Sequence, residues 1–250
     1  MSNQATTPTI SVITATYNAA AVLPRLIESL AAQTDQDFEW VVADGGSTDG
    51  TLEILEKAKS QLKNVIIDSR PDFGIYDALN RAVKLSSGEY YVVMGADDEF
   101  FPNAIADYRE ACTQSWADFV TFSYYVGEKV IGVKGAKWEF LYAMNAHVTG
   151  HAVGLAIKKT LHDIHGFYSR YYPIAADQLF VLSAIKKGSS VCVRKAIVGR
   201  FAKGGLSGSD KIGTLLEIFR VQLRCGGRFF FIAILMFLRL AKHRASIKNI

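Results

Sequence analysis

From residue 10 to residue 94 the chain repeats one pattern: a short apolar run, a polar turn, then apolar residues at helical spacing. Residues 10–14, 39–43, 65–68 and 89–94 read as strands, the first three of them buried or short. Between them, Leu23, Leu26, Ile27 and Leu30 mark one helix, and Leu52, Ile54, Leu55 and Ala58 mark a second. Ile75–Leu85 marks a third, ended by Ser86-Ser87-Gly88. Strands separated by crossover helices pair in parallel, since the helix carries the chain back to the edge where the strand began. The expected class is therefore α/β, with a Rossmann-like, mostly parallel central sheet flanked by helices. Ligands of such sheets sit outside the carboxyl ends of the strands. Asp44, Asp97 and Asp98 all fall there.

After Pro102 the rhythm changes. A helix is expected over residues 103–112, a strand over 119–122, and a hairpin-like stretch over 124–133 turning near Gly127-Glu128. A strand over 153–157 and a helix around 159–164 follow. Asp177 opens an apolar helix through Leu179, Leu182 and Ile185, and 191–193 and 196–201 read as the last strands. Gly204-Gly205-Leu206-Ser207-Gly208 reads as a flexible loop.

Asp97-Asp98 is the strongest chemical feature. Two adjacent carboxylates at the mouth of a buried strand repel each other and lose hydration, so they call for a cation. Hard oxygen ligands suit Mg²⁺ or Mn²⁺, which bind alongside substrate phosphates. A solvated strand-end turn is the alternative. Neither G-x-G-x-x-G nor G-x-x-x-x-G-K-[ST] occurs, so Gly45-Gly46 reads as a tight turn capped onto the next helix by Ser47 or Asp49. Asp44 is placed to accept hydrogen bonds from a base or ribose. Asp177 stands where a helix N-cap belongs, and His151 lies just before a strand, so capping and packing are the plain readings of those two.

Together these segments resemble the family 2 glycosyltransferases. The resemblance rests on Ser11–Asn18, on Trp40–Thr51 with its Asp44-Gly45-Gly46-Ser47-Thr48-Asp49-Gly50, on Gly74-Ile75-Tyr76-Asp77-Ala78-Leu79-Asn80, on Ser87-Gly88-Glu89-Tyr90, and on Ala96-Asp97-Asp98. It covers residues 8–208. It implies an inverting enzyme of the GT-A fold that uses a nucleotide sugar, closest to the bacterial branch building lipopolysaccharide O-antigen, capsule or exopolysaccharide. The resemblance places Thr14, Thr16, Tyr17 and Asp44 on the nucleotide base and Asp97 on the ribose or diphosphate. It makes Asp98 the ligand of a divalent metal, Mn²⁺ or Mg²⁺, and puts Asp77 and Asn80 in a donor-side motif. Ala96 stands where some relatives carry a further carboxylate. Asp177 matches the catalytic base, with Ala176 in place of a preceding acid. His151 aligns near the acceptor side, and Gly204 and Gly205 with a loop that closes over the donor.

At 250 residues, 50% hydrophobic and 21% charged, the chain is long enough for a sizeable core and is not disordered. Cys112, Cys192 and Cys225 lie far apart, forming neither a zinc pair nor a disulfide framework, which fits a reducing cytoplasm. No apolar stretch marks a secretory signal in the first nine residues. From Lys211 onward eight Lys and Arg face one acid, Glu217, an excess of seven positive charges. The whole chain carries only +4, so the preceding residues are net negative by three. The basic character belongs to residues 209–250, expected as a helical tail. Its apolar run 229–238 is too short to span a bilayer, and Arg220, Arg224, Arg228, Arg239 and Lys242 share one face if the helix passes unbroken through Gly226-Gly227. Such a face predicts a tail lying on the inner face of the cell membrane, beside a lipid-linked saccharide acceptor, or else a helix packed on the core. The basic stripe carries no nucleic-acid reader motif, so nucleic acid is not expected as a partner. Two other readings stand beside the transferase: a sugar nucleotidyltransferase, which needs a basic glycine-rich loop that Thr14–Asn18 lacks, and a non-catalytic nucleotide-sugar-binding subunit.

Overall fold

The computed structural model describes residues 10–202 and 210–247, with side chains as far as Lys242. Its first half follows the expected rhythm. Strand β1 (Ile10–Thr16) leads through helix α1 (Leu23–Ala31) to β2 (Glu39–Asp44), then through α2 (Thr51–Ala58) to β3 (Val65–Ser69) and through α3 (Ile75–Leu85) to β4 (Tyr90–Val93). All pairings among these four strands are parallel, in the order β3-β2-β1-β4.

Alternation along each strand builds two cores. In β1, Ile10 and Val12 point to the face covered by α1, α2 and α4 (Ala104–Ser115), while Ile13 points to the face covered by α3 and α7 (Ala176–Lys186). In β4, Tyr90 and Val92 take the first face and Tyr91 and Val93 the second. Nine residues make α1 too short to persist alone. Its Leu23, Leu26, Ile27 and Leu30 are buried, and each contributes about 1.5–3 kcal/mol of apolar transfer energy.

Beyond β4 the sheet becomes mixed. The two-residue β5 (Glu99–Phe100) pairs antiparallel with β9 (Val191–Phe201). β6 (Phe119–Val126) lies antiparallel to β8 (Leu155–Lys158) and parallel to β9, giving the full order β3-β2-β1-β4-β8-β6-β9-β5. Three elements differ from expectation. The stretches 119–122 and 124–126 form one strand, and the expected hairpin turns at Gly127-Glu128 into β7 (Lys129–Ile131). The two expected final strands are one, because bulges opposite Ser123 absorb the irregular residues between them. β8 begins at Leu155 rather than Val153, since Val153 adopts the left-handed region at φ 64° and cannot extend the ladder.

The tail is not one helix. Gly226, at φ 90°, turns the chain between α8 (Lys211–Arg224) and α9 (Phe229–Ile247), which pack on each other. The single basic face built on a continuous helix is therefore corrected. Arg239 turns inward, donating to Gln222 Oε1 at 3.0 Å and to the Leu141 carbonyl at 2.6 Å, on α5 (Glu139–Tyr142). Arg220 lies over the Tyr172 ring. Among the described residues no helix is long and apolar enough to cross a membrane.

Candidate active site

A cavity of about 380 Å³ opens at the carboxyl ends of β1 and β4. Ala15, Tyr76, Asp97, Asp98, His151 and Asp177 contribute to its walls. It brings together three residues singled out in the sequence for different tasks (Asp97, Asp98 and Asp177) and the candidate His151.

The turn after β4 builds one wall. Asp98 is fully buried, accepting hydrogen bonds from the Gly95 amide on Oδ2 and the Ala202 amide on Oδ1, both at 2.8 Å. Burial pushes its pKa up to about 6 against the pull of those two amides. A Cβ on Gly95 would meet Asp98 Oδ2 at 2.8 Å and Asp97 Oδ1 at 3.0 Å, so both carboxylates converge on this glycine. Among the described residues no cluster of three or more His, Cys, Asp or Glu side chains surrounds a point. The donor set suits a cation held by one or two carboxylates and completed by diphosphate oxygens and water, the habit of Mg²⁺ and Mn²⁺. Asp98, buried and without an ion pair among the described residues, fits that role.

The other wall is α7. Asp177 lies in its first turn, one residue inside the start, so it does not cap the helix, and the N-cap position falls to Ala175. Instead Asp177 Oδ1 accepts a hydrogen bond from the Tyr76 hydroxyl at 2.7 Å, and Oδ2 faces His151 Nδ1 at 3.9 Å. The start of α7 is satisfied from the tail. Glu217 Oε2 on α8 accepts from the amides of Ile174 and Ala175 at 2.9 and 2.8 Å. Sequence reasoning missed Glu217, although it stands out as the one acid against eight Lys and Arg from Lys211 onward. Tyr76 lies inside the quoted Gly74–Asn80 motif and was passed over. Tyr168, described below, gave no signal.

Several expected donor-binding side chains take other work. Thr14 is fully buried on the α1 face of β1, where its hydroxyl accepts from the Trp40 indole at 3.0 Å. Thr16, two residues on and facing the same way, donates to Asp44 Oδ1 at 3.0 Å. Strand alternation excludes both from the cavity and gives that place to Ala15. Tyr17, largely exposed at the rim, packs its ring against Gly45. Asp44 is buried and already full: Thr16 and Ser47 hydroxyls reach Oδ1, while the Gly46 and Ser47 amides and the Ser69 hydroxyl reach Oδ2. Burial opposes its ionisation, but these bonds outweigh it and hold its pKa below the usual carboxylate value. A base reaches Asp44 only by exchange with one of these donors. As it stands, Asp44 shapes the 45–48 turn. Neither Ser47 nor Asp49 occupies the cap of α2, which falls to Gly50 in the left-handed region; Asp49 Oδ1 accepts from the Thr51 amide and hydroxyl, while Ser47 bonds to Asn18 and Asp44.

Asp77 and Asn80 also face away from the cavity. Asp77 pairs with Arg170, and Asn80 clasps the backbone of Tyr168 through its amide N–H and carbonyl, both at 2.9 Å. The pair fixes the 168–170 segment. His151 is held by Nε2 against the Tyr168 hydroxyl at 2.8 Å. Its loop is packed tightly, since a side chain at Gly150 or Gly154 would strike the Tyr124 ring. Gly204 and Gly205 lie outside the described residues.

Comparison with known proteins agrees with this fold. The family model described as "Glycosyl transferase family 2" matches residues 11–179. A "PGL/p-HBAD biosynthesis glycosyltransferase" of Mycobacterium bovis is 46% identical over 95 residues, 38% of this chain and 37% of that protein. A chondroitin synthase of Pasteurella multocida is 36% identical over 98 residues, 39% of this chain and 10% of that protein. The matched stretch thus spans little more than a third of the mycobacterial relative. Among solved structures, S. aureus TarS 1–349 in complex with UDP-GlcNAc superposes with a TM-score of 0.69 at 21% identity, covering 94% of this chain and 72% of that one. The mannosyltransferase PcManGT of Pyrobaculum calidifontis, in complex with GDP-Man and Mn²⁺, gives 0.70 at 18% identity, covering 96% and 76%. These likenesses show the GT-A fold, and the family model spans most of the chain. The chain belongs to glycosyl transferase family 2.

Proposed function

We propose that this chain is an inverting glycosyltransferase that moves a sugar from a nucleotide sugar, a UDP-sugar in our reading, to a saccharide carried on a lipid. The observation that carries the proposal is one cavity holding both Asp177 and the Asp97–Asp98 pair. Inverting transfer needs a base for the acceptor hydroxyl and a place for the departing diphosphate charge. Asp177, steadied by Tyr76 and by the Glu217-bound turn, takes the hydroxyl proton. Asp98, with Asp97 beside it, would hold Mn²⁺ or Mg²⁺, which when bound supplies positive charge to the leaving diphosphate. Tyr17 at the rim and the Asp44-shaped turn offer a seat for the nucleotide. TarS was crystallised with UDP-GlcNAc, which supports the UDP reading, and the relative named for PGL/p-HBAD biosynthesis and the chondroitin synthase support a role in surface glycoconjugate synthesis.

The test is release of nucleoside diphosphate from UDP-, GDP- and dTDP-sugars with Mn²⁺ or with EDTA. Asp177→Asn is expected to lower turnover by ~10²–10⁴-fold while leaving UDP binding by calorimetry unchanged. Parallel loss of binding and turnover would remove Asp177 from the base role.

Membrane attachment belongs to the same proposal, on a different surface from the one expected. Phe230, Ile234, Phe237 and Leu238 recur at helical spacing along the outer side of α9, with Phe230 83% and Phe237 73% exposed. The inner side is Ile232 and Met236, both buried. Exposed Arg228 and Lys242 flank the stripe at its two ends along the chain. An apolar stripe with basic flanks suits the headgroup boundary of an anionic bilayer, which supports a seat on the inner face of the cell membrane. Phe230→Glu with Phe237→Glu should abolish flotation with phosphatidylglycerol vesicles, and unchanged flotation refutes the surface.

A further inference from the structure

Behind Asp177 a line of buried polar groups runs into the protein. His151 Nε2 lies 2.8 Å from the Tyr168 hydroxyl, which lies 2.6 Å from the Tyr91 hydroxyl. Tyr91 in turn lies 2.6 Å from His162 Nε2, and His162 Nδ1 lies 3.1 Å from the Gly166 carbonyl. All four side chains, His151, Tyr168, Tyr91 and His162, are buried.

The far end of this line fixes the direction of every bond in it. A carbonyl oxygen only accepts, so His162 Nδ1 carries the hydrogen. Burial drops the His162 pKa to about 4, so the ring is neutral and its Nε2 is a lone pair. Tyr91 therefore donates to His162, Tyr168 donates to Tyr91, and the Tyr168 oxygen is left to accept from His151 Nε2–H. Burial lowers the His151 pKa as well, against the raising influence of Asp177, so His151 is neutral too. A neutral imidazole with hydrogen on Nε2 has its lone pair on Nδ1. That lone pair faces Asp177 Oδ2 at 3.9 Å. Oδ1 is meanwhile engaged by Tyr76. The fold thus spends five residues on presenting a basic nitrogen to the carboxylate, where the opposite tautomer would give it a hydrogen-bond donor.

We propose that His151 is a positioning residue for the transfer, the group that receives the acceptor proton from Asp177. The inference rests on the reading of Asp177 as the base. In the step, the acceptor O–H bond breaks as its oxygen bonds to the anomeric carbon. The bond from that carbon to the diphosphate breaks, with the electron pair leaving on the diphosphate. The proton passes to Asp177, and a small rotation of the carboxyl brings its O–H within reach of His151 Nδ1. His151 then becomes an imidazolium paired with a restored Asp177 carboxylate, and its Nε2–H bond to Tyr168 is unchanged. Titratable groups that touch His151 are Asp177 and Tyr168, and Tyr76, Tyr124, Asp97 and Asp98 share the cavity with it.

The first measurement is the tautomer of His151 by ¹⁵N-resolved NMR of the protein alone. The Nε2–H form is expected, and an Nδ1–H signature overturns the proposal without any variant. In Tyr168→Phe, Nε2–H loses its acceptor, so the ring is expected to switch to Nδ1–H and donate to Asp177. That variant and His151→Gln should each lower kcat by at least about tenfold, a share of the ~10²–10⁴ given by a general base, with KM for the UDP-sugar unchanged. A merely structural histidine would not switch tautomer or separate kcat from KM. If Asp177→Asn is inactive while His151→Gln keeps the original kcat, this inference fails alone. If Asp177→Asn keeps the original kcat, the base assignment fails and takes this inference with it.

Discussion

The α8 carboxylate of Glu217 offers a sharp test of how the tail serves the site. Its Oε2 is the acceptor for the Ala175 amide, which is buried, and for the Ile174 amide, which is half-buried. Glu217→Ala leaves both donors without a partner at the start of α7. An orphaned buried donor costs about 1–3 kcal/mol, and the half-buried one falls at the low end, so the loss should total about 3 kcal/mol. For a chain of this size that lowers the melting temperature by about 6–12 °C. Glu217→Gln keeps a carbonyl acceptor without the charge and should recover about half of the loss, since bonds to charged groups are about twice as strong. Calorimetry or urea unfolding reads the stability, and nucleoside diphosphate release reads the placement of Asp177, which should suffer more in kcat than in donor KM. A melting temperature for Glu217→Ala within about 2 °C of the original, or a Gln variant no better than Ala, refutes the assignment.

Two further outcomes follow from buried groups. His162 stays neutral in the folded chain down to about pH 4, whereas its ordinary value is 6.5, so the unfolded chain takes up a proton that the folded one refuses. Its contribution is fully present above pH 6.5 and is lost as pH falls towards 4, about 3 kcal/mol in all, and His162→Gln should lack that component when urea unfolding is compared across the same range. Thr14→Val strands the Trp40 indole N–H and should cost about 1–3 kcal/mol in unfolding while leaving the KM for the nucleotide sugar unchanged; a raised KM would return Thr14 to the donor site.

Sequence reasoning reached the fold where the signal is local. Periodicity alone placed α3 at Ile75–Leu85, and the turn residues found the Gly127 hairpin. It failed where the deciding partner is distant. Nothing near Thr14 or Thr16 announces Trp40 or Asp44, although strand alternation by itself sets them on the same face as Val12, away from Ala15. Asp177 was found on the right helix, but its partner Tyr76 is 101 residues away and its supporting Glu217 lies beyond β9. Val153 reads as a strand residue by composition, and nothing local announces its left-handed backbone, in a loop whose Gly150 and Gly154 lie close against Tyr124.

The inward turn of Arg239 fixes more than one helix. Its guanidinium joins α9 to Gln222 on α8 and to the Leu141 carbonyl on α5, so α9 cannot peel away from the body without breaking both bonds and leaving those acceptors without this donor. A bilayer that takes up the outer Phe230–Phe237 stripe therefore takes up the whole molecule in one orientation. The cavity mouth then stands at a set height above the lipid headgroups. On the reading proposed above, a lipid-linked acceptor would be measured against that height, and its reactive hydroxyl would have to lie the right number of sugar units from the phosphate that tethers it.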